Sequence, residues 1–103
     1  MTLADFYALL KTADASVKMY TGPGTGNYTV YLPYDTVTLE ADNTTSESGW
    51  RIQVDRFTKL SNDPVVTAIA LALAGDDDIA CQYRIDYEQD TGYIHHIWTC
   101  EVV

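Results

Sequence analysis

Residues 79–103 constrain the fold more than any other stretch, because they pair with themselves in only one sensible way. Folding this segment about Asp90-Thr91-Gly92 sets Cys81 opposite Cys100, Tyr83 opposite Trp98, Ile85 opposite His96 and Tyr87 opposite Ile94. The alternate positions then match Gln82 with Thr99, Arg84 with Ile97, Asp86 with His95 and Glu88 with Tyr93. One face is apolar and the other polar, and a slip of one residue would invert both, so a long antiparallel hairpin in this register is expected.

The rest of the chain supplies two helices and further strands. Thr2 and Asp5 read as a helix start, and Phe6, Leu9 and Leu10 follow at helical spacing, which predicts a helix over 3–12. Residues 16–20 alternate weakly as a short strand. The Gly/Pro cluster at 22–27 is a loop. Residues 28–33 and 36–41 read as two strands separated at Pro33-Tyr34-Asp35. Over 50–57, Trp50, Ile52 and Val54 alternate with Arg51, Gln53 and Asp55, the pattern of a central strand with one buried face. Asn62-Asp63-Pro64 caps a second helix that runs to Gly75 and is apolar nearly all round, with alanines at 68, 70, 72 and 74. Such a helix needs cover on more than one side: a sheet beneath, and the first helix or another subunit beyond. The fold class expected is α+β, a mixed, mostly antiparallel sheet carrying two helices in the order α-β-β-β-β-α-β-β, with residues 1–103 as a single domain.

Residues 42–49 contain no apolar side chain and are expected to form an exposed connection. Asp42, Asn43, Thr44, Thr45, Ser46, Glu47 and Ser48 are its candidate interaction residues, as a contact arm or a plain linker.

Chemistry is hard to find. The formal net charge of −9, from 15 acidic and 6 basic side chains, opposes tight binding of a nucleic-acid backbone. No basic-then-apolar leader opens the sequence, and the longest apolar run, 68–74, is too short to cross a bilayer, so an intracellular chain with no membrane partner is expected. In a reducing compartment Cys81 and Cys100 read as two thiols on the core face, although their register permits a disulfide. Zinc does not fit, because His95 and His96 are consecutive on a strand and point to opposite faces. Asp76-Asp77-Asp78 lacks the ligand spacing of a calcium loop and reads as a solvated turn. Asp86, Glu88, His95 and Glu101 share the polar face of the hairpin, but no nucleophile accompanies them, and Gly22, Gly24 and Gly26 open no helix. No enzyme activity, cofactor or metal is expected.

The order of these segments resembles a known group. Residues 1–12 (MTLADFYALLKT) are similar to the opening of short proteins from the head–tail gene clusters of tailed phages that infect Gram-positive bacteria. The strand over 28–34, the strand over 51–59 followed by Asn62-Asp63-Pro64, and the Tyr-rich closing hairpin match in order. The all-polar 42–49 segment and the short, alanine-rich second helix depart from the pattern. The resemblance is to tail terminator or head–tail joining proteins, and it implies a structural role: a ring, usually a hexamer, at the head-proximal end of the tail tube. Such a ring stops tube growth and docks to the head connector. It implies as partners the chain itself, the tail-tube protein and a head connector or neck protein, with DNA passing through unbound. The implied location is the virion tail or neck, and the host cytoplasm during assembly. The competing reading from composition is a small acidic binding or regulatory module encoded by a phage.

Overall fold

The computed structural model describes residues 1–41 and 44–103, with side chains described outside 38–48. Seven elements follow one another: α1 (Leu3–Ala13), β1 (Lys18–Met19), β2 (Tyr28–Ala41), β3 (Thr44–Thr58), α2 (Pro64–Ala74), β4 (Ile79–Tyr87) and β5 (Ile94–Val102). The strands form one sheet in the order β1-β2-β3-β5-β4, parallel between β1 and β2 and antiparallel elsewhere. This is the expected α+β architecture, and β3 is its central strand.

Local chemistry accounts for the helix ends. Thr2 and Asp5 form a reciprocal capping box at the start of α1, the Asp5 amide donating to Thr2 Oγ1 and the Thr2 amide to Asp5 Oδ2, both at 3.1 Å. Asp63 caps α2 ahead of Pro64, its carboxylate accepting the Val65 amide at 3.0 Å, and Gly75 closes the helix. No described helix is long and apolar enough to cross a membrane.

The core lies between the helices and one face of the sheet. Phe6 and Leu10 of α1 and Ile69 and Leu73 of α2 pack on Tyr31, Ile52, Val54, Trp98, Cys100 and Val102. Every cross-strand pair expected of the terminal hairpin is present, from Cys81 with Cys100 to Tyr87 with Ile94, and the Glu88 amide donates to the Tyr93 carbonyl just beyond. Gly92 sits at φ 78° in the turn, a conformation glycine adopts without a Cβ clash.

The strand count before α2 is one lower than the sequence predicts. Residues 28–33 and 36–41 are a single strand, interrupted in register between Pro33 and Asp35 with Tyr34 as the extra residue. Proline has no amide hydrogen for the ladder, and the chain answers with a bulge instead of a turn. The exposed connection expected over 42–49 is shorter too. Thr44, Thr45, Ser46, Glu47 and Ser48 belong to β3 and pair back onto β2, while Asp42 and Asn43 lie outside the described residues.

The two cysteines also differ from expectation. They are joined as a disulfide, with Cα atoms 4.2 Å apart, where the compartment argument favours two thiols. The register placed both on one face at directly opposed positions, and that proximity prevails.

Candidate interaction site

Two features of the sheet stand out from its compact body. The first is an arm. β5 pairs with β3 only from Trp50 onward, so the part of β3 before it has β2 alone as a neighbour. Gly49 marks the departure, because the Val102 carbonyl oxygen occupies the space a Cβ would need there. The ladder continues to the Ala41–Thr44 pair, about five residues per strand or roughly 16 Å. With it the molecule measures 50 × 24 × 21 Å. At the arm's root Arg51 bridges Asp35 at 2.9 Å and Glu101 at 3.2 Å, tying β2, β3 and β5 together. The candidate residues Thr44 to Ser48 therefore sit on a paired strand projecting from the sheet.

The second feature is an apolar groove of about 440 Å³ between α2 and β4. Val66, Thr67, Ala70 and Leu71 form the helix wall, and Tyr83 and Trp98 the sheet wall. Helical spacing explains it: with Ile69 and Leu73 turned to the core, Thr67, Ala70, Leu71 and Ala74 line the opposite side, and Leu71 is 69% exposed. α2 has no charged residue at all. The adjoining face of β4, expected to be core, is open. Tyr83, Ile85 and Tyr87 are 48%, 57% and 59% exposed, because the helices bury their core residues against β2, β3 and β5 and α2 meets β4 only along the groove at Ile79, Cys81 and Tyr83. Exposed apolar area of this kind, continuous across two elements, marks a contact surface.

The titratable groups are engaged structurally. Arg56 falls on the apolar face of β3, yet it is buried among carboxylates: its Nε donates to Asp63 at 2.9 Å and its Nη1 to Asp14 and Thr29 at 3.3 Å. It thus links the end of α1, the start of α2 and the central strand. Burial pushes the Asp63 carboxyl up, but the Val65 amide, the Arg56 guanidinium and the Thr58 hydroxyl together outweigh this and hold it below the usual carboxylate range. A carboxyl whose pKa is lower folded than unfolded stabilises the fold fully above its unfolded value of about 4, and that contribution is lost as pH falls through the folded value. Urea unfolding is therefore expected to show wild-type stability dropping more steeply below about pH 4 than that of Asp63→Asn. Parallel curves for the two proteins would refute this role.

On the other face of the sheet His95 points away from its cross-strand neighbour Asp86 and donates to Asp55 on β3 at 2.7 Å, with Glu88 at 3.7 Å from the other ring nitrogen. Gln53 donates to the same Asp55 carboxylate at 2.9 Å, and Phe57 stacks on the imidazole at 4.1 Å. Of the four polar-face residues singled out in the hairpin, only Glu88 and His95 come together; Glu101 serves the arm. His96, on the helix side, has Nδ1 2.6 Å from the Tyr83 hydroxyl, and burial lowers its pKa. Both histidines are held by stacking and carboxylate or phenol partners. Among the described residues no three His, Cys, Asp or Glu side chains are grouped to hold a metal ion. Asp76 and Asp78 form a turn closed by the Asp78 amide on the Asp76 carboxylate at 2.9 Å.

No family model matches the chain, and no curated protein does. The chain is similar to a chain in the virion of a native gene transfer agent particle. That likeness covers 92% of this chain and 83% of the other, with TM-score 0.61 and 12% identity, and it establishes a shared fold. A sheath/tube terminator of an extracellular contractile injection system aligns with 99% of the chain at TM-score 0.37 and 10% identity. The chain spans 56% of that terminator's length.

Proposed function

We propose that this chain is a virion structural protein, a tail terminator or head–tail joining protein that assembles as a ring of about six copies at the head-proximal end of a tail tube. The observation that carries the reading is the fold shared with a gene transfer agent virion chain over 92% of the residues. In this role the ring stops tube growth and docks to a head connector or neck protein, and no catalytic step is involved. The charge of −9 suits it, because acidic walls let a DNA backbone pass without holding it. The uncharged outer stripe of α2 is the subunit contact, and the arm that carries Thr44 to Ser48 is the tube contact, to which Asp42 and Asn43 also contribute. The protein acts in the virion tail or neck after assembly in the host cytoplasm.

The test is mass in solution by light scattering, first alone and then with the purified tail-tube protein from the same genome. A ring-sized species, or tubes capped at fixed length, is the expected result. A monomer indifferent to the tube would favour the small acidic binding module instead. Deleting residues 43–48 is expected to leave the melting temperature within a few degrees, since the ladder between β3 and β5 begins only at Trp50 and residues 44–48 pair with β2. The same deletion should abolish capping, and unimpaired capping by the shortened protein would remove the arm from the tube contact.

A further inference from the structure

β4 is the last strand of the sheet, and its free edge has a defined hydrogen-bonding phase. The Asp78 carbonyl accepts from the Val103 amide at 3.0 Å and the Glu88 amide donates to the Tyr93 carbonyl at 2.9 Å, so even-numbered residues exchange bonds with the β5 side. The 4.2 Å separation of the Cys81 and Cys100 Cα atoms agrees, being that of a non-hydrogen-bonded pair. The backbone N–H and C=O groups of Cys81, Tyr83, Ile85 and Tyr87 consequently point away from the sheet. Such an edge invites another strand. It carries no proline, and its two charged residues, Arg84 and Asp86, are of opposite sign, both exposed, and in no ion pair among the described residues.

We propose that β4 pairs antiparallel with β4 of a second copy about a twofold axis through Ile85, joining two five-stranded sheets into one. Residues facing the free edge must meet one another, so the residue on the axis meets its own equivalent, and an axis at Arg84 or Asp86 would set two like charges directly opposite. An axis at Tyr83 sets Gln82 against Arg84 and Ala80 against Asp86, leaving both charges unmatched. An axis at Tyr87 sets Asp86 against Glu88, which repel. At Ile85 each Arg84 faces Asp86 of the second copy, giving two opposite-charge pairs at the closely spaced, non-hydrogen-bonded positions. On the helix side Ile85 meets its own equivalent, and Tyr83 meets Tyr87 of the second copy where the groove opens. α2 overlies only the Ile79 to Tyr83 half of the strand, so the two helices fall at opposite ends of the junction. Two copies each carrying −9 repel, and this strand is the place where their charges cancel locally. The pairing uses the same edge in both copies and stops at two, so it is independent of any ring.

Sedimentation equilibrium over a rising concentration series tests the pairing, with far-UV circular dichroism to verify folding of each variant. The wild-type chain should reach twice the mass of the species that the charge-reversed variants form, whether that species is a monomer or a ring. Arg84→Glu places two carboxylates opposite each other, Asp86→Arg places two guanidinium groups opposite each other, and each should weaken the dimer about tenfold or more. The double variant R84E/D86R restores opposite charges and should recover the dimer. Ile85→Pro removes an outward amide that the monomer does not use, and should give a folded monomer. A wild-type chain that stays monomeric, a dimer indifferent to both single reversals, or one the double variant fails to restore would overturn the proposal.

Discussion

Arg56→Met is expected to destabilise the protein by about 3–5 kcal/mol, the range for breaking a buried ion pair by removing one partner. Arg56 is 5% exposed, and its guanidinium holds two carboxylates, Asp63 at 2.9 Å and Asp14 at 3.3 Å. Without it the charge of Asp63 remains buried and that of Asp14 part-buried, at the junction of α1, α2 and β3. A domain of this size has roughly 5–15 kcal/mol in total, so the variant should melt at least about 12 °C lower, at about 4 °C or more per kcal/mol. The electrostatic origin is separable from lost packing. Adding Asp63→Asn to the methionine variant should cost less than the sum of the two single changes, because the second change removes a charge the first has stranded. Thermal unfolding of the four proteins gives the coupling directly. Strict additivity would mean the arginine contributes only its methylenes.

How far the sequence foretold this molecule depended on the distance between interacting residues. The terminal hairpin was fully legible, because alternation of period two and a glycine turn specify register from within 25 residues of chain. Both helices were legible from their caps, Thr2 and Asp63. Pro33-Tyr34-Asp35 misled, since the residues that make a turn also make a bulge, and only the partner strand decides between them. The Arg56 cluster draws on residues 14, 29, 56 and 63 and leaves one local trace: an arginine two places after Val54 on an otherwise apolar face. That misplaced charge was the available signal.

The exposed apolar surfaces were half legible. The outer stripe of α2 was anticipated, because a helix apolar all round needs cover on both sides. The open face of β4 was not, because its apolar pattern is the same whether a helix covers it or not. Coverage depends on how far α2 reaches across the sheet, which no local pattern encodes. His95 shows the same limit: register put it opposite Asp86, but the side chain turns to Asp55 on the other neighbouring strand.

Trp98→Ala carries the second large effect expected here, about 3–5 kcal/mol, and it locates the boundary between core and contact surface. Trp98 is 3% exposed, sits between Val54 of β3 and Tyr83 of β4, and has its ring 5.1 Å from that of Tyr83. It belongs to the core and also walls the groove, so truncation removes packing from both sides at once and leaves a cavity under the start of β4. Leu71, on the facing wall, offers the contrast. Because it is 69% exposed, Leu71→Ala should change stability by no more than about 0.5 kcal/mol. Chemical denaturation of both variants checks the pair. If Trp98→Ala lost less than about 1 kcal/mol, the core would end at β3 and β5 would belong with β4 to the contact surface. The full loss places the edge of the stable body between Trp98 and Tyr83, with the open face of β4 and the outer stripe of α2 as its exposed apolar margin.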